Sequence, residues 1–169
     1  MAARGEIPPM PRTLKDVVAL LNRLIQLDHD AIEACKAAMD RVARSEDREQ
    51  LGAILADHRR HAEELGLVVR NLGGHPASHG DLRQVLTRGK VVLGALSGER
   101  AVLEAVRGNE AEAVLAYADA VSQPGIPVDV MTVLERQLAV ERRHHDALGS
   151  RLEPNPPPRG GEKSPASHR

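Results

Sequence analysis

Tryptophan and phenylalanine are absent from this 169-residue chain and Tyr117 is its only aromatic side chain, so a hydrophobic fraction of 41% must be almost wholly aliphatic. Without aromatic platforms on which bases could stack, the common single-strand and RNA-binding modules are disfavoured. Cysteine is nearly absent as well. Cys35 stands alone, which excludes an intrachain disulfide and a multi-thiolate zinc or iron-sulfur site. Neither charge sign dominates, since 23 Lys and Arg face 24 Asp and Glu for a net charge of -1, and nothing favours nucleic acid or an anionic membrane as a partner. No apolar run approaches the ~20 residues of a membrane span, and residues 1–12 lack the apolar stretch of a secretory signal. A soluble, cytoplasmic protein that binds neither nucleic acid nor membrane is expected.

Strand signals are missing too, while helical periodicity is abundant. After a Pro-rich, extended lead-in over 1–12, Thr13 is a plausible N-cap for a first helix reaching about Arg44, with Leu14, Val17, Val18, Leu21, Leu24, Ile25, Ile32, Cys35, Met39 and Val42 on one face. Ser45 is the expected cap of a second helix that stops at Gly73-Gly74, with Leu51, Ile54, Leu55, Leu65, Val68, Val69 and Leu72 as its stripe. A weaker helix, interrupted by Gly89 and Gly94, is expected over 81–96. Long helices follow over 98–121 and 128–152, separated by a break at 122–127, and 153–169 reads as a disordered Pro/Gly-rich tail. Two tight hairpins joined by a link of about two dozen residues predict an all-α, ferritin-like four-helix bundle over 13–152. The short helix between helices two and three would be its crossover.

The polar residues inside the apolar stripes carry the functional signal, because an unpartnered polar group in a core is costly. Asp28 lies on the first stripe, His58 and His61 on the second, Glu110 on the third, and Glu141, His144 and His145 on the fourth. Asp28 lies 17 residues before Ser45, while His58 and His61 lie 13 and 16 after it. Glu110 lies 12 before Ser122, while Glu141 and His144 lie 14 and 17 after Pro127. In antiparallel hairpins equal counts from the turn mean equal depth, so both sets converge near mid-bundle. The i, i+3 spacing of His58 with His61 and of Glu141 with His144 puts each pair on one helical face, where it can clasp an ion.

From Leu14 to Leu152, about four-fifths of the chain, the sequence resembles the ferritin-like superfamily, and within it the small bacterial ferritin-like proteins. Leu27-Asp28-His29-Asp30-Ala31-Ile32 is similar to the first-helix ligand segment of bacterioferritins, with Asp28 at the position of their glutamate. His61-Ala62-Glu63-Glu64-Leu65 and the exit Gly73-Gly74-His75-Pro76 are similar to the second-helix stretch. Glu141 to Leu148 is similar to the fourth-helix Glu-x-x-His pattern shared with rubrerythrin-type proteins. The resemblance implies a di-metal carboxylate site with Asp28, His58, His61, Glu110, Glu141 and His144 as metal ligands. His58 departs from the family by standing where a bridging glutamate is usual. Three carboxylates then replace four, which points toward a single ion or two unequal sites.

These residues imply a metal-binding protein, with iron or manganese favoured and zinc or copper open, carrying oxygen- or peroxide-linked redox chemistry or handling iron. A homo-oligomer is left open, and iron storage in a closed shell is the weaker variant. The alternative is a non-catalytic, stress-associated bundle or adaptor whose acid and histidine groups form a structural network. Glu33 competes with Asp28 on helix one but lies off the stripe. His145 is a candidate as a further ligand, as a hydrogen-bond partner to one, or as an interior edge residue. Tyr117 is expected to fill core with its hydroxyl tied off, Cys35 to be a small buried hydrophobe, and His29, His75, His79 and His168 to be surface or loop residues. Arg59, Arg60, Arg142 and Arg143 are expected on the wet faces.

Overall fold

The computed structural model describes residues 13–78 and 97–153, and the expected crossover helix over 81–96 lies outside them, as do His79, His168, the lead-in and most of the tail. Among the described residues the chain forms α1 (Leu14–Met39), α2 (Ser45–Asn71), α3 (Glu99–Ser122) and α4 (Val128–Leu152), with no strand. At 26 residues α1 is about 39 Å long, a length that matches its three partners.

The helix ends follow from local chemistry. Thr13 opens α1 with a capping box: its hydroxyl oxygen accepts from the Asp16 N–H at 3.3 Å, and the Asp16 carboxylate accepts from the Thr13 N–H at 2.9 Å. Helix α1 ends at Met39 rather than near Arg44. The cap of α2 is likewise corrected, since Arg44 holds the N-cap position without a side-chain bond and Ser45 is already helical. The turn is secured from elsewhere: Glu99 Oε1 accepts from the backbone N–H groups of Ala43 and Arg44 at 2.9 and 3.1 Å. At the other end of α2, Gly73 adopts φ 77°. The N–H of Gly73 donates to the Arg70 carbonyl and that of Gly74 to the Val69 carbonyl, both at 2.9 Å, which is a Schellman stop.

Glu99 opens α3 beside the end of α1, so these two helices run antiparallel, as do the partners of each hairpin. Helix α1 packs on α2 and α3, and α4 packs on the same two, leaving α1/α4 and α2/α3 as parallel diagonal pairs. The end of α2 and the start of α3 lie at opposite ends of the bundle, which is the ferritin-like single-crossover arrangement. Arg151 Nε donates to the buried Asp47 carboxylate at 2.8 Å, and Glu64 accepts from Gln137 at 2.9 Å while pairing with Arg136; these contacts tie α4 to α2.

Apolar packing comes in two separate clusters. One gathers Ile32, Cys35, Leu51, Ile54, Val106 and Leu148; the other gathers Leu21, Ile25, Leu65, Tyr117, Leu134 and Leu138. Leu14, expected in the buried stripe, is 57% exposed because it begins the helix beyond the core. Between the two clusters lies a layer of buried polar side chains.

Candidate metal centre

Each helix supplies that layer from the middle of its apolar stripe. Asp28 comes from α1, His58 and His61 from α2, Glu110 from α3, and Glu141 and His144 from α4; all are buried, His144 least so at 8% exposure. Sequence reasoning singled out these six positions, and the structure brings them together. They form two overlapping groups, Asp28–His58–His61–Glu141 and His58–Glu110–Glu141–His144, in each of which the possible ligand atoms lie within 4.8 Å of one another.

His58 occupies the centre. Its Nδ1 lies 2.9 Å from Asp28 Oδ1, and its Nε2 lies 3.2 Å from Glu110 Oε1. The other Glu110 oxygen lies 3.2 Å from His144 Nδ1, and His144 Nε2 reaches Asp57 Oδ2 at 2.9 Å. Tyr117, fully buried, donates its hydroxyl to Asp28 Oδ2 at 2.9 Å. His61 Nδ1 approaches Glu141 Oε1 to 2.8 Å, yet neither atom has a hydrogen bond of sound geometry, and Glu141 Oε2 has none either.

The electrostatics follow from burial and pairing. Burial alone would lower the His58 pKa, but the hydrogen bonds to Asp28 and Glu110 and the charges of Glu141 and Glu110 hold it well above 6.5. His144 is raised for the same kind of reason, with Glu110 and Asp57 overcoming desolvation. Glu110 is buried, which would raise it, but His144 and His58 bring it down to about 2. Desolvation dominates at Asp28 and raises its pKa despite His58. Burial, then the charges of Asp28 and Glu141, raise Tyr117, so its phenol stays a donor. Cys35 is buried, and burial with the charges of Glu110 and Glu141 keeps it a thiol.

One expectation is revised and one residue is added. His145 is not an interior residue: its side chain is 30% exposed and lies 3.4 Å from Asp146, because it sits one helical step beyond the inward face that His144 occupies. Asp57 was missed, since it lies off the apolar stripe; its signal is its position beside His58, on the side of α2 that turns toward α4. Glu33 pairs with Lys36 at 2.6 Å, away from the layer. His75 and the Arg59, Arg60, Arg142 and Arg143 side chains are exposed.

Fold and site together define a ferritin-like four-helix bundle with buried acid and histidine groups that could hold a metal. The chain belongs to the family described as Domain of unknown function (DUF2383), whose model matches residues 16–123. It is also similar to the crystal structure of a two-domain protein from Anabaena variabilis containing DJ-1/ThiJ/PfpI-like and ferritin-like domains, with a TM-score of 0.73 and 16% identity. That match covers 85% of this chain and 40% of the other, so this chain spans less than half the length of that protein. No curated protein matches the sequence. Among the described residues no helix is long and apolar enough to cross a membrane.

Proposed function

We propose that the protein binds metal within the bundle, at a site drawn from Asp28, His58, His61, Glu110, Glu141 and His144, with iron or manganese as the favoured ion. The observation that carries this reading is Glu141, whose two oxygens are buried without a hydrogen bond, Oε1 lying 2.8 Å from a His61 Nδ1 that makes none either. A buried carboxylate whose lone pairs lack well-formed hydrogen bonds is costly, and a divalent cation supplies a stronger partner than the misaligned imidazoles around it. The mixture of imidazole and carboxylate suits iron, zinc and copper, while the ferritin-like frame weights the choice toward iron or manganese. When bound, such an ion supplies Lewis-acid or one-electron chemistry toward oxygen or peroxide.

The chain's own residues prepare the site. Tyr117 holds one oxygen of Asp28 and so leaves Oδ1 turned toward His58 and His61, at 2.9 and 3.9 Å. The two apolar clusters exclude water from above and below. His144 and Asp57, which is 25% exposed, form the edge of the layer nearest solvent, where ions and small oxidants would arrive.

A second reading is favoured by one observation: His58, Glu110, His144 and Asp57 already form a continuous hydrogen-bonded chain. Such a chain can specify packing in a non-catalytic bundle without any ion. Metal analysis of the purified protein, beside His61→Ala and Glu141→Ala, separates the two. Binding of ferrous, manganous or zinc ion by the wild type and its loss in both variants supports the metal reading. A wild type that stays metal-free after loading with all three rejects it. Peroxide consumption by the loaded protein then tests for catalysis.

A further inference from the structure

The two groups of possible ligands share His58 and Glu141 and differ in their other members, Asp28 and His61 in one and Glu110 and His144 in the other. In the group formed by His58, Glu110, Glu141 and His144, both Glu110 oxygens and both His144 nitrogens have partners. In the other group His61 Nδ1 is buried without a hydrogen bond and lies 2.8 Å from Oε1 of the shared Glu141, whose oxygens make none either. His58 belongs to both groups, with Nδ1 turned to Asp28 and Nε2 to Glu110. A carboxylate in that position has two oxygens that can each take an ion, whereas a neutral imidazole has one nitrogen with a free lone pair and one N–H.

Resting on the metal-binding reading above, we propose that the protein holds one ion per chain, ligated by Asp28, His58 Nδ1, His61 Nδ1 and Glu141. Glu110 is then not a ligand: it accepts the Nε2–H of His58 and fixes that tautomer. His144 in turn holds Glu110, and Asp57 holds His144. This relay of outer partners runs from the ion to the edge of the bundle, and it orients the ligand His58 in the way carboxylate–histidine–metal arrangements do. The substitution of histidine for a bridging carboxylate thus turns half of a two-ion site into a positioning device. Glu110 and His144 are positioning residues, and His61 and Glu141 complete the ion's shell.

The test uses the full chain titrated with cupric ion, whose electron paramagnetic resonance counts directly bonded nitrogens. One equivalent of copper carrying two imidazole nitrogens is expected for the wild type. His144→Gln and Glu110→Gln should keep both nitrogens, with affinity lowered by ~10–100-fold as for outer partners, whereas His61→Ala should keep one. His58→Glu should raise the capacity to two equivalents of ferrous or manganous ion. Three nitrogens in the wild type, a nitrogen lost in His144→Gln, or two equivalents in the wild type would overturn the proposal while leaving metal binding in place. Absence of any bound ion would overturn both. Two nitrogens in the wild type fit either group, so the decision falls to the pair His61→Ala and His144→Gln, each checked for folding by circular dichroism, of which only the first loses a nitrogen if the proposal holds.

Discussion

His58 has a carboxylate on each side of its ring, and this one residue gives the metal-free and metal-loaded protein opposite responses to pH. Its pKa stands well above 6.5 in the folded chain. The stability it contributes is therefore complete below about pH 6.5 and is lost as pH rises through the folded value. His144, also raised, adds to the loss on the same side. Glu110, lowered to about 2, contributes stability above its ordinary value of 4.5 that disappears as pH falls toward 2. Metal-free protein should thus have its highest melting temperature in mildly acidic solution and lose stability as pH rises above 6.5 through the raised pKa values of His58 and His144. Metal binding requires neutral imidazoles, so the increase in melting temperature on adding ion should grow over that same interval. Thermal melts at constant ionic strength with and without ion check both limbs; an ion-induced increase that shrinks with rising pH would contradict the assignment. A second expectation concerns Tyr117→Phe. It removes the donor to Asp28 Oδ2 and should lower metal affinity by ~10–100-fold with helicity unchanged, read by competition with a chelator.

At the scale of the elements, helix ends and periodicity explain what could be read from the chain and what could not. Apolar spacing located all four long helices, and counting from the turns brought Asp28, His58, His61, Glu110, Glu141 and His144 to one level. Asp57 escaped because periodicity marks the centre of a stripe, while its contact with His144 depends on how α2 and α4 meet at their seam. Ser45 was misassigned because capping preference is a local signal, whereas this turn is fixed by Glu99, more than fifty positions along the chain. The absent side-chain cap gives a prediction. Arg44 has φ -73° and ψ 133°, the backbone that a capping residue needs, so Arg44→Ser should stabilise the protein by about 0.5–2 kcal/mol in urea denaturation. Gly74 predicts the opposite. A methyl group there would lie 2.6 Å from Val18 Cγ1, where the exit from α2 presses on α1. Gly74→Ala should cost about 1–3 kcal/mol, and Val18→Ala in the same chain should recover part of it. An additive double variant would show that the contact is not the cause.

For the whole molecule, the polar layer is a trade between stability and a site. It divides the core into two apolar clusters that do not merge, and it contains Glu141, a buried carboxylate with neither oxygen hydrogen-bonded. If the layer existed only to specify packing, every member should be satisfied, since a half-satisfied network is worse than an apolar core. Glu141 fails that criterion, and its retention makes sense when an ion completes it. Replacing it by leucine removes a buried carboxylate that makes no hydrogen bond, at similar volume, so metal-free Glu141→Leu should be more stable than metal-free wild type by about 1–3 kcal/mol. The order should reverse once ion is added. At a hundredfold excess of free ion over its dissociation constant the wild type gains about 2.7 kcal/mol, or roughly 5–11 °C in melting temperature for a chain of this size, while Glu141→Leu should gain almost none. Differential scanning calorimetry of both proteins, stripped with chelator and then reloaded, measures all four states. A metal-free Glu141→Leu that melts well below stripped wild type would identify Glu141 as a structural keystone and favour the adaptor reading. The crossing of the two pairs of melting curves is what a site maintained at the expense of the empty bundle must show.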